Sequence, residues 1–209
     1  FADYRAQQLN AGKFKFIRAH AKFLDAHTLE LERRLPNRRV DGRNAERADL
    51  VIGAPTLTAS HFVIATGSRV SPSPLPQLNE VGFITSDDAV ALKKLPKSLI
   101  ILGGGAIACE FAQFFARFGV KVTLIQRSEH ILREFDADAG AEIEKVFTRE
   151  GIKVFTGTKL LDAKRRGKLK TVSFDQNGKT LSVSAEEILF ALGRAPNTEF
   201  LAMEKAGVK

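Results

Sequence analysis

Four apolar residues run together at Leu99-Ile100-Ile101-Leu102, and then the period changes. Gly103-Gly104-Gly105 follows, and over 106–118 apolar side chains recur at helical spacing until Gly119. A second apolar strand is predicted over 120–125. Strand, glycine turn, helix and strand make a βαβ unit, with parallel strands and a right-handed crossover. Residues 137–150 predict a second amphipathic helix, closed by Gly151. Beyond it strands are predicted over 152–155, 159–163, 168–174 and 179–183, with Asn177-Gly178 as a hairpin turn. A last buried strand over 187–192 runs into Gly193-Arg194-Ala195-Pro196-Asn197.

The first third has a weaker pattern. Residues 1–12 predict the end of a helix, closed by Gly12. Short alternating runs at 14–17, 21–24 and 28–31 predict strands of a small antiparallel meander. Residues 36–49 are polar and predict a loop. A buried strand is predicted over 56–66, around the apolar residues 62–65, ending in Thr66-Gly67-Ser68. Ser71-Pro72-Ser73-Pro74-Leu75-Pro76 predicts an extended linker, because three closely spaced prolines resist regular pairing. A helix is then predicted from Ser86, as its cap, to Leu95, with Asp87 and Asp88 at the positive end of its dipole. The fold class is α/β, with segments at 1–70, 71–80, 81–193 and 194–209.

Composition narrows the class. The chain has 209 residues, 44% hydrophobic and 27% charged, which excludes collagen-like and wholly disordered classes. Cys109 is the single cysteine, so neither an internal disulfide nor a cysteine metal cluster is expected. The four histidines show no metal-ligand spacing. No apolar run approaches the roughly 18 residues of a membrane span, and no signal peptide opens the chain, so no membrane association and a cytoplasmic setting are expected. The chain starts at Phe1, which suggests excision from something longer. The net charge of +8 could serve nucleic acid or an anionic cofactor. The clusters Arg33, Arg34, Arg38, Arg39 and Lys164, Arg165, Arg166 lack interleaved aromatics, and read as solvated surface. No nucleic-acid partner is expected. Asp136 and Asp138 read as cap and dipole partners of a helix. Ser60, Ser68 and Ser86 lack a nucleophile elbow, and no catalytic residue is assigned.

The glycine turn carries the chemistry. Gly103-Gly104-Gly105-Ala106-Ile107-Ala108 fits G-x-G-x-x-A. Gly103 permits the tight turn, Gly105 lets the backbone approach a pyrophosphate, and Ala108 lets the helix pack closely. The N–H groups at the helix start then face the anion. An NAD site places Asp or Glu about 20 residues further on, at the ribose 2′-hydroxyl. That place holds Gln126, followed by Arg127, with Arg133 shortly after. Missing acid and added arginine favour a 2′-phosphate, hence NADPH over NADH. A non-catalytic NAD(P)-binding module is the rival reading.

These residues resemble the pyridine nucleotide–disulfide oxidoreductases, a family of flavoproteins. Ala65-Thr66-Gly67-Ser68-Arg69 resembles the stretch closing the first part of the family's FAD domain. Thr85-Ser86-Asp87-Asp88 and Leu95-Pro96-Lys97-Ser98 resemble the approach to its NAD(P) domain. Ala191-Leu192-Gly193-Arg194-Ala195-Pro196-Asn197-Thr198 resembles the return. The resemblance implies a partial FAD-domain segment at 1–70, a Rossmann-like NAD(P)-binding domain at 81–193, and re-entry into the FAD domain at 194–209. It implies Ala21, Thr66 and Gly67 near FAD, Gly193 near NADP and Arg194 near the flavin. It implies Glu110 at the nicotinamide end, and Arg127 and Arg133 around the 2′-phosphate. Ala106 stands where glutathione reductases often carry a gating tyrosine, which tilts the resemblance toward mercuric reductases and dihydrolipoamide dehydrogenases. The family's own FAD glycine motif, redox cysteine pair and dimerisation domain are not in this sequence. The fragment is therefore expected to bind NADPH without turnover or FAD, and homodimerisation is expected only of the full enzyme.

Overall fold

The computed structural model describes Tyr4, Gln7, Gln8, Gly12, residues 14–32 and residues 55–208. The chain divides into two compact units, one of Phe1–Ser68 with Pro196–Lys209 and one of Arg69–Ala195. In the first, β1 (His20–Asp25), β2 (Thr28–Glu32) and β3 (Thr56–Thr58) form an antiparallel sheet in that order. The β1–β2 turn is closed by Asp25, whose Oδ1 accepts from the His27 N–H at 2.7 Å. Phe23 is the buried residue of β1, and its ring meets Phe62 edge-on at 5.4 Å.

Two expectations fail here. Residues 14–17 form no strand, and Phe14 and Phe16 are exposed. The strand foreseen over 56–66 stops at Thr58. Residues 62–65 form no strand, and Val63 is 92% exposed. An apolar run becomes a strand only when a neighbour takes up its backbone groups, and none among the described residues does so. The foreseen helix end over 1–12 and the loop over 36–49 lie outside the described residues, except that Tyr4, Gln7 and Gln8 are helical and Gly12 has φ +75°.

The chain enters the second unit through β4 (Ser68–Val70) and α1 (Pro76–Val81). The segment 71–80 is thus no free linker. Pro76 occupies the first turn of α1, where its missing N–H costs nothing, and Leu78 is fully buried. Next comes α2 (Ser86–Val90), shorter than foreseen: the Ala91 N–H turns onto the Asp88 carbonyl at 3.1 Å and the helix ends there. Its cap is Thr85, not Ser86. The Thr85 hydroxyl accepts from the Asp88 N–H, while Asp88 Oδ2 accepts from the Thr85 N–H at 2.8 Å.

The βαβ unit forms as foreseen. It runs β5 (Ser98–Leu102), α3 (Ala106–Arg117) and β6 (Lys121–Ile125), followed by α4 (Ala137–Arg149) and β7 (Lys153–Phe155). Then β8 (Thr158–Arg166), β9 (Leu169–Gln176) and β10 (Lys179–Ala185) make an antiparallel sheet, and β11 (Glu187–Phe190) returns beside β5. The parallel sheet has the order β11-β5-β6-β7. Asn177 and Gly178 close the β9–β10 hairpin with φ of 54° and 76°. The strand β12 (Arg194–Pro196) pairs with β4.

Residues 99–102 are all apolar because both faces of the parallel sheet are covered. Leu99 and Ile101 pack with Ala108, Ala112 and Phe115 of α3 and Phe147 of α4. Ile100 and Leu102 pack with Leu78 and Val81 of α1 and with Val172 and Phe174 of β9. The result is three layers: helices, parallel sheet, antiparallel sheet. Ala108 and Ala112 are buried where α3 meets the strands, as close helix–sheet packing requires. The β5–α3 turn is left at the carboxyl edge of the sheet, where α/β folds place their ligands.

Candidate nucleotide site

A cleft of about 860 Å³ opens at that edge, entirely within the second unit. The three glycines line it for three different reasons. Gly103 has φ +112°, and a Cβ there would stand 2.3 Å from the Ala191 carbonyl oxygen, so no other residue fits. At Gly104 a Cβ would press on the Gln126 side chain at 3.0 Å. Gly105 has an ordinary φ of −77°, and a Cβ built on it meets nothing within 4 Å. The protein does not need a glycine at 105 for its own packing. The open ground in front of it is the cleft.

Gly105 is also the N-cap of α3, and no side chain caps this helix. Its first turn holds no acid, and the first regular helical bond runs from the Cys109 N–H to the Gly105 carbonyl at 3.0 Å. The earlier N–H groups therefore have no partner within the helix, in a stretch already biased toward anions by the dipole. An open cradle, uncapped N–H groups and small side chains fit a pyrophosphate.

The far wall brings charge. Gln126 is buried, and its Oε1 accepts from the Arg127 N–H at 3.1 Å. Its carbonyl is held by both the N–H and the hydroxyl of Thr158, at 3.1 and 2.9 Å. Arg127, Arg133 and Lys159 line the cleft, against one acid among the described residues, Glu134. Glu134 pairs with Arg133 at 2.7 Å, whereas Arg127 and Lys159 make no ion pair among the described residues. Lys159 and Thr158 were not foreseen as site residues. They belong to β8, and only the chain's path through α4 and β7 returns them to the end of β6. Pro72, Pro74 and Leu75 line the opposite side, which turns the supposed linker into a wall.

Of the residues singled out in the sequence, Gly103, Gly104, Gly105, Ala106, Gln126, Arg127, Arg133 and Gly193 all line the cleft. Gly193, at φ +119°, also accepts from the Ser71 N–H at 3.1 Å. Ile107 and Glu110 lie on exposed faces of the first turns of α3 and do not line it. Nor does Arg194, on β12. Ala21, Thr66 and Gly67 lie in the first unit, where Asn197 donates to the carbonyls of Thr66 and Gly67 at 3.1 and 3.0 Å. Cys109 is buried with Sγ 3.8 Å from the Gly104 carbonyl. Burial, with Glu144 and Glu110 adding, pushes its thiol up to about 11, which keeps it protonated and unreactive. Asp136 stands at the N-cap of α4 but makes no side-chain capping bond. Among the described residues no group of His, Cys, Asp and Glu could hold a metal, and no helix is long and apolar enough to cross a membrane.

Residues 6–209 match the family described as pyridine nucleotide-disulphide oxidoreductase. A mercuric reductase of Staphylococcus aureus is 34% identical over 196 residues, covering 94% of this chain and 32% of its own length. A dihydrolipoyl dehydrogenase of Geobacillus stearothermophilus is 33% identical over 202 residues, covering 96% of this chain and 39% of its own. The copper(II) complex of the HOCl-induced flavoprotein disulfide reductase RclA from Escherichia coli superposes with a TM-score of 0.75 at 25% identity. The match covers 99% of this chain and 43% of that one. The chain thus spans about a third of the length of the curated relatives it matches.

Proposed function

The chain belongs to the pyridine nucleotide-disulphide oxidoreductase family, and from that premise we propose that residues 81–193 are the NADP(H) platform of a FAD-dependent oxidoreductase. Residues 1–70 and 194–209 then belong to its FAD domain. The observation that carries this reading is the pairing of an uncapped, open helix start at Gly105 with three cations on the same cleft.

In this reading the N–H groups at Gly104, Gly105 and Ala106 hold the pyrophosphate, and Ile107 continues that helix start. Gln126 takes the place of the ribose-binding acid as a neutral group. It repels no 2′-phosphate, and Arg127 and Arg133 supply planar forks for it. Gly193 lets the backbone pass close to the nucleotide. Glu110 stands toward the nicotinamide end and Arg194 toward the flavin. Ala21, Thr66 and Gly67 contribute backbone to a FAD site completed elsewhere in the full enzyme. There the nucleotide supplies a hydride, passed through FAD to a disulfide or similar acceptor. A cytoplasmic setting and a homodimeric full enzyme go with this reading.

The test is a titration of the 209-residue chain with NADPH and NADH at moderate salt. NADPH should bind more tightly, and Arg127→Glu should weaken NADPH more than NADH. Equal or reversed affinities overturn the NADP preference. No turnover is expected, and a yellow protein would show that FAD is held.

A further inference from the structure

The segment 130–135 between β6 and α4 is fastened at several points. Ile131 is fully buried, and its N–H donates to Glu144 Oε1 at 3.2 Å. The Leu132 N–H donates to the Gly104 carbonyl at 2.6 Å, from a residue held at φ +54°. The Phe135 N–H closes a turn onto the Leu132 carbonyl at 2.8 Å. Gly140 of α4 lies so close that a Cβ there would stand 2.6 Å from the Ile131 carbonyl oxygen. A leucine at positive φ costs free energy that surrounding contacts must offset, which marks a conformation imposed by its surroundings.

This fastening leaves one large apolar side chain outside. Phe135 is 59% exposed, lines the cleft, and makes no ring contact among the described residues. The exposed rings of Phe114 on α3 and Phe118 at its C-cap at least lie against each other, at 4.8 Å. Phe135 is two residues from Arg133 and shares its cleft with Arg127.

We propose that Phe135 is the stacking partner of the nucleotide's adenine ring, and that the fastened segment 130–135 is a pre-set clip for an adenosine 2′-phosphate. This rests on the nucleotide reading above. Adenine and the 2′-phosphate are carried on the same ribose, so a ring two residues from Arg133 and on the same cleft stands at the correct end of the molecule. Stacking is the interaction that a flat base and a half-exposed phenylalanine can make without a specific hydrogen-bond pattern. Because the clip is held by Gly104, Glu144 and Gly140 before any ligand arrives, little ordering remains to oppose binding.

The chain contains no tryptophan, so Phe135→Trp introduces its sole indole. Adenosine 2′,5′-bisphosphate should quench that emission saturably, and reduced nicotinamide mononucleotide, which has no adenine, should not. Phe135→Ala should bind the bisphosphate and NADPH about tenfold more weakly, the loss of one stacked base. Reduced mononucleotide binding should be unaltered. Unmoved emission at saturating bisphosphate, or wild-type affinity in Phe135→Ala, overturns the stacking assignment and leaves the nucleotide site intact. A wild-type chain that binds neither NADPH nor the bisphosphate overturns both readings. The side chain is half outside, so both variants should fold, and an unchanged unfolding midpoint checks this.

Discussion

Phe62-Val63-Ile64-Ala65 in the first unit and Leu99-Ile100-Ile101-Leu102 in the second carry the same local signal, four apolar residues followed within a few positions by glycine. They end in opposite states. Residues 99–102 lie in the interior of a parallel sheet, between β11 and β6, with no exposed surface. Residues 62–65 are irregular, with Val63 almost fully exposed. An apolar run supplies the driving force for burial, but a strand also needs neighbours for its N–H and C=O groups. The second run has two such neighbours and layers above and below. The first has Phe23 against Phe62 and little else among the described residues.

The sharpest way to break this comparison is to cut both runs. Ile101→Ala should cost about 2–5 kcal/mol in denaturant unfolding of the second unit, as a buried large-to-small change. Val63→Ser should stay within about 0.5 kcal/mol, as a surface change. Equal losses would show that Val63 is buried in solution.

A second pair tests the turn. Gly103→Ala forces a Cβ into the Ala191 carbonyl at positive φ and should destabilise the fold by about 3 kcal/mol or more. Gly105→Ala should leave the unfolding midpoint unchanged, since nothing stands in its way. It should instead weaken NADPH binding, read by fluorescence titration. If Gly105→Ala proved as destabilising as Gly103→Ala, Gly105 would be a packing residue.

Smaller effects follow at the cleft edge and at α2. Glu134→Gln frees Arg133 from its ion pair and removes the one acid among the described residues that line the cleft. It should tighten NADPH binding a few-fold, the scale of one exposed pair. Weaker binding would mean that Glu134 orients Arg133. At the Thr85 cap, the Thr85 N–H and then its hydroxyl hold the Asp88 carboxyl below its ordinary value of 3.8. The stabilisation is complete above that value and is lost as pH falls through the depressed one. Asp88→Asn should therefore flatten the acid limb of the stability profile. An unchanged limb would remove Asp88 from that role.

The βαβ unit could be read from the sequence because its signals are local. The strand run, Gly103 to Gly105, the helical spacing and the stop at Gly119 follow one another without a break. The Asn177-Gly178 hairpin is local in the same sense. Thr85 was missed because Ser, Thr and Asp all cap helices, and only the reciprocal bond to Asp88 tells them apart. Lys159 was missed for a different reason. It stands 32 residues beyond Arg127 in number and shares a cleft with it only because β8 begins where β7 ends, at the same sheet edge. The prolines at 72 and 74 predicted a path outside helix and strand, but not that this path walls a cleft. Ile107, Glu110 and Arg194 show the converse: the sequence singled them out, and they do not line the cleft.

The amino-acid order decided the α/β class, the glycine turn, and the placing of a neutral Gln126 and a cationic Arg127 after β6, because these depend on neighbours in sequence and on side-chain type. The folded chain decided which apolar run became a strand, why Gly103 and Gly105 are glycines for unlike reasons, and where Lys159 and Phe135 stand. Those outcomes depend on what lies opposite each residue across a sheet or a cleft, and no local pattern carries that information.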